Sequence, residues 1–482
     1  MRKSIYATIA IHLSKNLNRK GVGRFLAQIK ESIAGTDQDF TVGSLGRAIM
    51  LLSIPMVLEM LMESIFAIID IFFVAKLGAD AVATVGLTES IITIVYAIGI
   101  GLSTATTALV ARRIGEKNTG AASNVAGQAI ITALTVSLLI GIPGALLAPQ
   151  LLKLMGADAT TIALYGGYTR WMLGGNMVIM LLFTINAAFR SAGDAAISMR
   201  VLAIANLINI VLDPILIFGL GPIPALGIEG AAIATNIGRG IAVVYQLRLL
   251  LGGRARIKVH LQEFIPRFRL IAQLVKLSLG GIGQTLIATA SWIGLVRIIS
   301  LYGNSALAGY TVAIRLIIFV LLPSVGISNA AATLVGQSLG AGDAERAEKA
   351  TYATAAVNMT MLGLAGLLLI AFPSAFIRLF TSDPDVLLFG SACLRIVSYG
   401  FVVYGLGMVM VSAINGAGDT TTPTWINLLS YWMIEIPLAY FLAVVLGWHE
   451  QGVFYSIPIA EAIMTIIALV IFRRGKWKER MV

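Results

Sequence analysis

Five stretches of this chain, 47–75, 87–111, 121–147, 306–335 and 350–372, each hold 20 or more mainly apolar residues. About 20 residues at a rise of 1.5 Å cross a hydrocarbon layer of about 30 Å. In lipid every backbone N–H and C=O must be satisfied within the protein, which leaves helices or closed barrels. A barrel would show alternating segments of about ten residues rather than continuous apolar runs. The chain therefore reads as an all-α membrane protein. Charge agrees: 12% of its 482 residues are charged and 58% are hydrophobic, whereas a soluble surface needs about 25% charged residues.

Apolar spacing predicts twelve spans, at 47–76, 87–111, 121–147, 161–189, 196–219, 228–250, 270–301, 306–335, 348–372, 386–414, 423–446 and 452–473. The longest basic connector divides them six and six. The expected organisation is an N-terminal segment 1–44, a first lobe 45–251, a linker 252–269, a second lobe 270–474 and a basic tail 475–482. In the N-terminal segment Ile5, Ile9, Leu13, Leu17, Phe25, Leu26, Ile29 and Ile33 recur at helical spacing among Lys and Arg. That pattern fits an amphipathic helix on the membrane surface and fits a basic tail equally well; a signal peptide would need a longer apolar stretch and a small-residue cleavage site.

A net charge of +11 would suggest a nucleic-acid partner in a soluble protein. Here the basic residues flank the spans, so none is expected. With both termini cytoplasmic, 26 of the 35 Lys and Arg fall inside, three outside and six within spans. This asymmetry predicts a plasma (inner) membrane protein in that orientation. The single cysteine, Cys393, excludes an internal disulfide, and His12, His260 and His449 lie in or beside loops. Neither a Cys or His metal site nor a cofactor is expected.

The second half of the chain repeats the first. Ala192-Gly193-Asp194 matches Ala417-Gly418-Asp419 at a shift of 225 residues, which also pairs Gly78 with Gly303, Leu109-Val110 with Leu334-Val335, Gly115 with Gly340 and Arg170 with Arg395. The shift then slips to about 222, where Gly230 meets Gly452. Six spans return a chain to its starting side, so the copies insert in parallel, as two pseudo-symmetric six-helix bundles around a central cavity. Secondary transporters are often built in this way.

After residue 45 the chain resembles the multidrug and toxic-compound extrusion (MATE) transporters. The likeness is carried by Ile54-Pro55 with Asp70, by 77–83 (LGADAVA), 333–343 (TLVGQSLGAGD) and 189–194 (FRSAGD), by Asn209 to Asp213-Pro214, and by 230–235 (GAAIAT). The resemblance implies a twelve-helix, two-lobe antiporter that exports organic compounds in exchange for H⁺ or Na⁺. It also separates two branches. A NorM-like protein carries essential acids on the seventh and tenth helices; here the seventh span has no Asp or Glu, and the matching place in the tenth is near Tyr404. A DinF-like protein uses an Asp in the first helix and Asn-x-x-x-Asp in the fifth, which Asp70 and Asn209 to Asp213 fit. Asn186 and Thr235 carry over to the same polar cluster, as partners for H⁺ or for Na⁺ at Asp70 and Asp213.

The residues themselves point the same way. An acid at a helix centre costs about 2.5–3.5 kcal/mol on insertion scales. At 100° per residue Glu63 lies 40° and Asp70 20° round from Glu59, so the three share one stripe of the first span. Asn209 and Asp213 share a face at i,i+4, with Asn206 just before them. Carboxyls in low dielectric hold protons more readily than in water, and clustered carboxylate and amide oxygens suit Na⁺. Against this stands a structural hydrogen-bond cluster or an ion pair with an intramembrane Arg. Glu59 and Glu63 lie nearer the cytoplasmic end, where hydration is expected. Glu435, at the position of Asp213 in the second copy, and Glu461 are expected as secondary ion or substrate contacts, as is Tyr404. A lipid-linked oligosaccharide flippase of the same superfamily is the alternative; its pyrophosphate headgroup would want several Arg or Lys in the first-lobe cavity, where the first span is acidic. No catalytic motif or nucleotide loop points to an enzyme, and a two-lobe monomer differs from the identical-subunit plan of most channels.

Overall fold

A computed structural model of the chain describes residues 19–35, 38–253 and 255–480. Among them the regular structure is helical, with one isolated bridge between Leu220 and Ile223. Twelve long helices follow in order: α1 (Leu45–Ala75), α2 (Ala79–Gly115), α3 (Thr119–Leu146), α4 (Ala159–Ala192), α5 (Ala195–Phe218), α6 (Ile228–Leu251), α7 (Phe268–Ile299), α8 (Asn304–Gly340), α9 (Ala344–Ala371), α10 (Pro384–Ser398 and Phe401–Gly416), α11 (Thr421–Val445) and α12 (His449–Arg473). Nine are long and apolar enough to cross a membrane; α10, bent by 57° at its break, makes a tenth. Helices α1 and α6, of 31 and 24 residues, complete the set. The chain is a multi-pass integral membrane protein.

The repeat is visible in the backbone. Gly193 ends α4 and Gly418 follows α10, both at positive φ (+101° and +91°), a conformation that closes a helix and penalises any side chain. Asn118 and Asp343, also 225 apart, cap α3 and α9 by accepting from Ala121 N and Arg346 N. The two copies also meet reciprocally. A Cβ on Gly115 would lie 2.0 Å from the carbonyl oxygen of Gln337, and one on Gly340 would lie 2.1 Å from that of Arg112. Each pair is the other shifted by 225, the signature of a contact about a pseudo-two-fold axis. Nearby, Gly101 of α2 lies against Ser278 and Ile282 of α7, and Gly326 of α8 against the backbone of Met56 in α1. These contacts close the lobes together in the half of the bundle nearer the linker.

The segment before α1 is part of that closure. Phe40 is 2% exposed and lies against Gly193. Arg346, at the start of α9, donates to the carbonyls of Phe40 (2.9 Å), Val42 (3.1 Å) and Gly43 (3.0 Å). Arg256 of the linker donates to the carbonyls of Gln38 and Ala192, each at 3.1 Å, and Asp39 pairs with Lys117. The helix Arg19–Ala34 is tied to α1 by Glu31 and Arg47, 2.5 Å apart. Ile29 is half-buried and Ile33 exposed, while Ile5, Ile9, Leu13 and Leu17, and the side chains of Phe25 and Leu26, lie outside the described residues.

Candidate functional site

The fourth span runs further than apolar spacing predicts. Its last turn continues to Ala192 and stops only at the left-handed Gly193, which draws Arg190 out of the expected loop and into the helix. Arg190 is 7% exposed and donates to Glu59 of α1 at 2.6 Å and to Ser103 of α2 at 3.4 Å. Asn186, one turn earlier, donates to the same Glu59 oxygen at 3.1 Å and accepts from Gln246 of α6 at 2.5 Å. Glu59 is 2% exposed. Its expected hydration is therefore corrected: the helix packing that buries it also supplies an arginine, without which a buried carboxylate is costly.

A second ion pair follows one turn along the acidic stripe. Arg239 of α6 donates to Glu63 at 2.9 Å and to the Tyr96 hydroxyl at 3.3 Å, and lies over the Phe66 ring. Asn206 donates to the Met62 carbonyl at 2.9 Å. Beyond these pairs lies a third group. Asn209 donates to Asp213 at 3.1 Å and to Thr235 at 3.2 Å. Asp213 is fully buried, and Asp70 is within electrostatic reach of both Asp213 and Arg239. Asp70 Oδ1, Asp213 Oδ2 and Asn209 Oδ1 are buried with no hydrogen-bond partner. Asp70, Asn209, Asp213 and Thr235 are thus brought together, whereas Asn186 belongs to the Glu59 network.

Two cavities lie among these helices. One, of about 340 Å³, is lined by Glu59, Glu63, Asn186, Arg190 and Arg239 of the first lobe. The other, of about 520 Å³, lies in the second lobe. Val325 and Ser412 line both, so the two are neighbours.

The family model described as MatE matches this chain twice, over residues 55–215 and 282–441, one match in each lobe. The chain belongs to the MatE family. The probable multidrug resistance protein YoeA of Bacillus subtilis (strain 168) is 24% identical over 91% of this chain and 96% of its own length. An FAD transporter of Shewanella oneidensis is 26% identical over 89% and 95%. The solved outward-facing conformation of a multidrug resistance MATE family transporter of the MOP superfamily superimposes with a TM-score of 0.85, at 24% identity over 92% of this chain and 98% of that one. The MatE fold accounts for the two pseudo-symmetric bundles, and the chain is a transporter rather than an enzyme.

In this MatE chain the second-lobe acids have different company. Glu435 is 2% exposed and accepts from Ser291 of α7 at 2.7 Å. It ends a stretch of α11, Leu428–Glu435, wound as π-helix, a distortion often found where a helix presents functional side chains. Glu461 of α12 accepts from the Tyr431 hydroxyl at 3.2 Å, and Tyr404 of α10 lies beside Tyr431. Apolar spacing misses Arg190, Arg239, Gln246 and Tyr431. For Arg239 the signal was its presence in a span otherwise fit for lipid; Arg190, one residue past the predicted end of the fourth span, gave none.

Proposed function

We propose that the chain is a secondary antiporter that exports organic compounds, cationic or amphiphilic, in exchange for H⁺ or Na⁺ by alternating access of its two lobes. The observation that carries this reading is the contrast among the first-lobe acids. Glu59 and Glu63 each hold an arginine, while among the described residues Asp70 and Asp213 contact none and keep buried oxygens without a donor. An unsatisfied buried carboxylate is costly unless something neutralises it. A proton does so directly; Na⁺ would do so with help from the Asn209 and Thr235 oxygens, since hard cations take oxygen ligands.

Asp70, Asp213, Asn209 and Thr235 form the coupling site, and Asn186 acts indirectly through Glu59. The lobes are 45–251 and 270–474, joined by the linker 252–269, with both termini cytoplasmic. Neutralising the two aspartates changes the balance between states; moving it from 1:99 to 99:1 requires about 5.5 kcal/mol of differential ion affinity. The flippase alternative fits less well. Arg190 and Arg239 do line the first-lobe cavity, but each is held by a glutamate, which leaves no surplus positive charge for a pyrophosphate.

The test is efflux from proteoliposomes under an imposed H⁺ or Na⁺ gradient. Asp70→Asn and Asp213→Asn should each abolish gradient-driven transport at normal membrane insertion. If both still pump against a gradient at wild-type rates, the coupling site lies elsewhere.

A further inference from the structure

The segment 38–43 lies across both lobes at the linker end, and the lobes grip it differently. From the second lobe one side chain holds it. Arg346 of α9 donates twice to the Phe40 carbonyl, at 2.9 and 3.2 Å, once to that of Val42 at 3.1 Å and once to that of Gly43 at 3.0 Å. Among the described residues, all side-chain hydrogen bonds of Arg346 go to this segment. From the first-lobe side Lys117 pairs with Asp39 and donates to the Thr41 hydroxyl at 2.9 Å. Arg256, anchored there by its backbone N–H on Asp194 at 3.1 Å, donates to the Gln38 carbonyl at 3.1 Å. Between these grips the buried Phe40 shares an apolar cluster with Ala195 of α5 and with Leu334 of α8 and Ala350 of α9.

The backbone at Lys117 shows that this grip is not incidental. Lys117 ends the turn between α2 and α3 at φ +59°, a left-handed conformation that disfavours any residue with a Cβ. Its counterpart under the 225-residue shift is Gly342, at φ +78° in the turn between α8 and α9. The same turn thus holds a glycine in one copy and a lysine in the other, and the side-chain bonds of that lysine go to Asp39 and Thr41. A segment that occurs once in the chain is clamped at the two turns that occur twice. The two clamps differ in strength. An exposed ion pair is worth little, whereas one guanidinium fork on three carbonyls is rigid and charge-assisted.

We propose that residues 38–43 are a latch that locks the lobes together at the linker end, with Arg346 and Lys117 as its clasps, and that the latch must let go of one lobe before a compound can enter from that side. The inference rests on the alternating-access reading given above. The glycine contacts between the lobes are symmetric; the latch adds one asymmetric tie, which sets how often the closed end opens. Its clasps act in series. A strap freed at one end no longer ties the lobes, whatever holds its other end.

The experiment is a pulsed-EPR distance across the linker end, on the full chain in lipid nanodiscs with neither substrate nor ion gradient. Spin labels go on Thr119→Cys in the first lobe and Lys349→Cys in the second, both exposed positions, with Cys393→Ala. Arg346→Ala should raise the ratio of separated to closed lobes by at least about tenfold, the scale of one charge-assisted hydrogen bond. Lys117→Gly, which the left-handed turn accepts without strain, should raise it by about threefold, the scale of an exposed ion pair. The double variant should match Arg346→Ala alone, because clasps in series do not add. Arg47→Ala breaks the ion pair of Glu31 with α1 at the same end and no bond to the latch, so it should match wild type. The proposal is overturned if either Arg346→Ala or Lys117→Gly keeps the wild-type distances, if their effects add in the double variant, or if Arg47→Ala separates the lobes as far as Arg346→Ala does. Distances are read without transport, so failure of the Asp70–Asp213 coupling test leaves this result standing, and failure here leaves that coupling untouched.

Discussion

Replacing Gly115 by Ala should push the lobes apart at the linker end without unfolding either of them. The added Cβ would sit 2.0 Å from the Gln337 carbonyl oxygen, against about 3.4 Å for ordinary contact, so α2 and α8 must separate by roughly 1.4 Å. The obstacle is backbone, which cannot rotate out of the way. A radial gap of 0.5–1 Å already forfeits a quarter to a half of a dispersion contact, and overpacking of a close contact typically costs about 1–3 kcal/mol. That cost falls on the closed state alone. It shifts the ratio of closed to open by about 5- to 150-fold, so an open state held at about 1% rises to between about 5% and 60%. Helix propensity, which favours Ala over Gly by about 1 kcal/mol, acts on both states alike and leaves the ratio unchanged. The assay is a pulsed-EPR distance between spin labels at Thr119→Cys and Glu345→Cys, two exposed positions at that end, with the buried Cys393 replaced by Ala. A longer-distance population should appear in Gly115→Ala and, by symmetry, in Gly340→Ala. Because one separation relieves both clashes, the double variant should shift the ratio by less than the two single effects together. An unchanged distance distribution, or strictly additive shifts, would refute the reciprocal closure.

Arg190→Ala leaves Glu59 buried and unpaired, which should cost about 3–5 kcal/mol; adding Glu59→Gln should restore part of it, as read from unfolding midpoints in detergent. At the surface, burial raises the Asp39 carboxyl but hydrogen bonds from Lys117 and Thr41 outweigh it and hold the group down at about 2, below its usual 3.8. A depressed acid stabilises above its unfolded value and loses that effect as pH falls through the folded one. Protection of residues 38–43 from hydrogen exchange should therefore weaken between about pH 4 and pH 2, and Asp39→Asn should remove that pH dependence. A C-terminal reporter should read as cytoplasmic; an external reading would overturn the orientation proposed from Lys and Arg placement.

Much of this architecture is legible in the sequence because lipid imposes it. Helix ends lie within a few residues of the predicted spans wherever the apolar run itself ends the helix. They depart where something else does: α2 and α8 run on to Gly115 and Gly340, beyond the predicted ends at 111 and 335, because their last turns pack on the opposite lobe rather than on lipid. The 225-residue shift likewise anticipates the paired glycine turns. The acidic stripe on α1 follows from helical angles, and so does the Asn209–Asp213 contact, because both are local. What no local rule contains is partnership across helices. Arg190 and Arg239 meet Glu59 and Glu63 over separations of 131 and 176 residues. The packing of the first lobe's six helices decides which acids are neutralised and which stay bare, so Glu59 could be placed on the right face yet assigned the wrong surroundings.

The reciprocal glycine contact between the lobes has a further consequence. Two identical six-helix units joined at such an axis would present the same side chains to both walls of their shared chamber, and any acid gained by one wall would be gained by the other. Joining the units in a single chain releases that constraint. Gly115 and Gly340 still face each other's lobes in the same way, yet Arg112 has become Gln337 across the repeat, and Asp213 answers to Glu435 with different neighbours. The closure can stay symmetric while the chamber it encloses becomes polar in a directional sense, with ion-paired glutamates on one wall and glutamates without a cationic neighbour in the lining on the other.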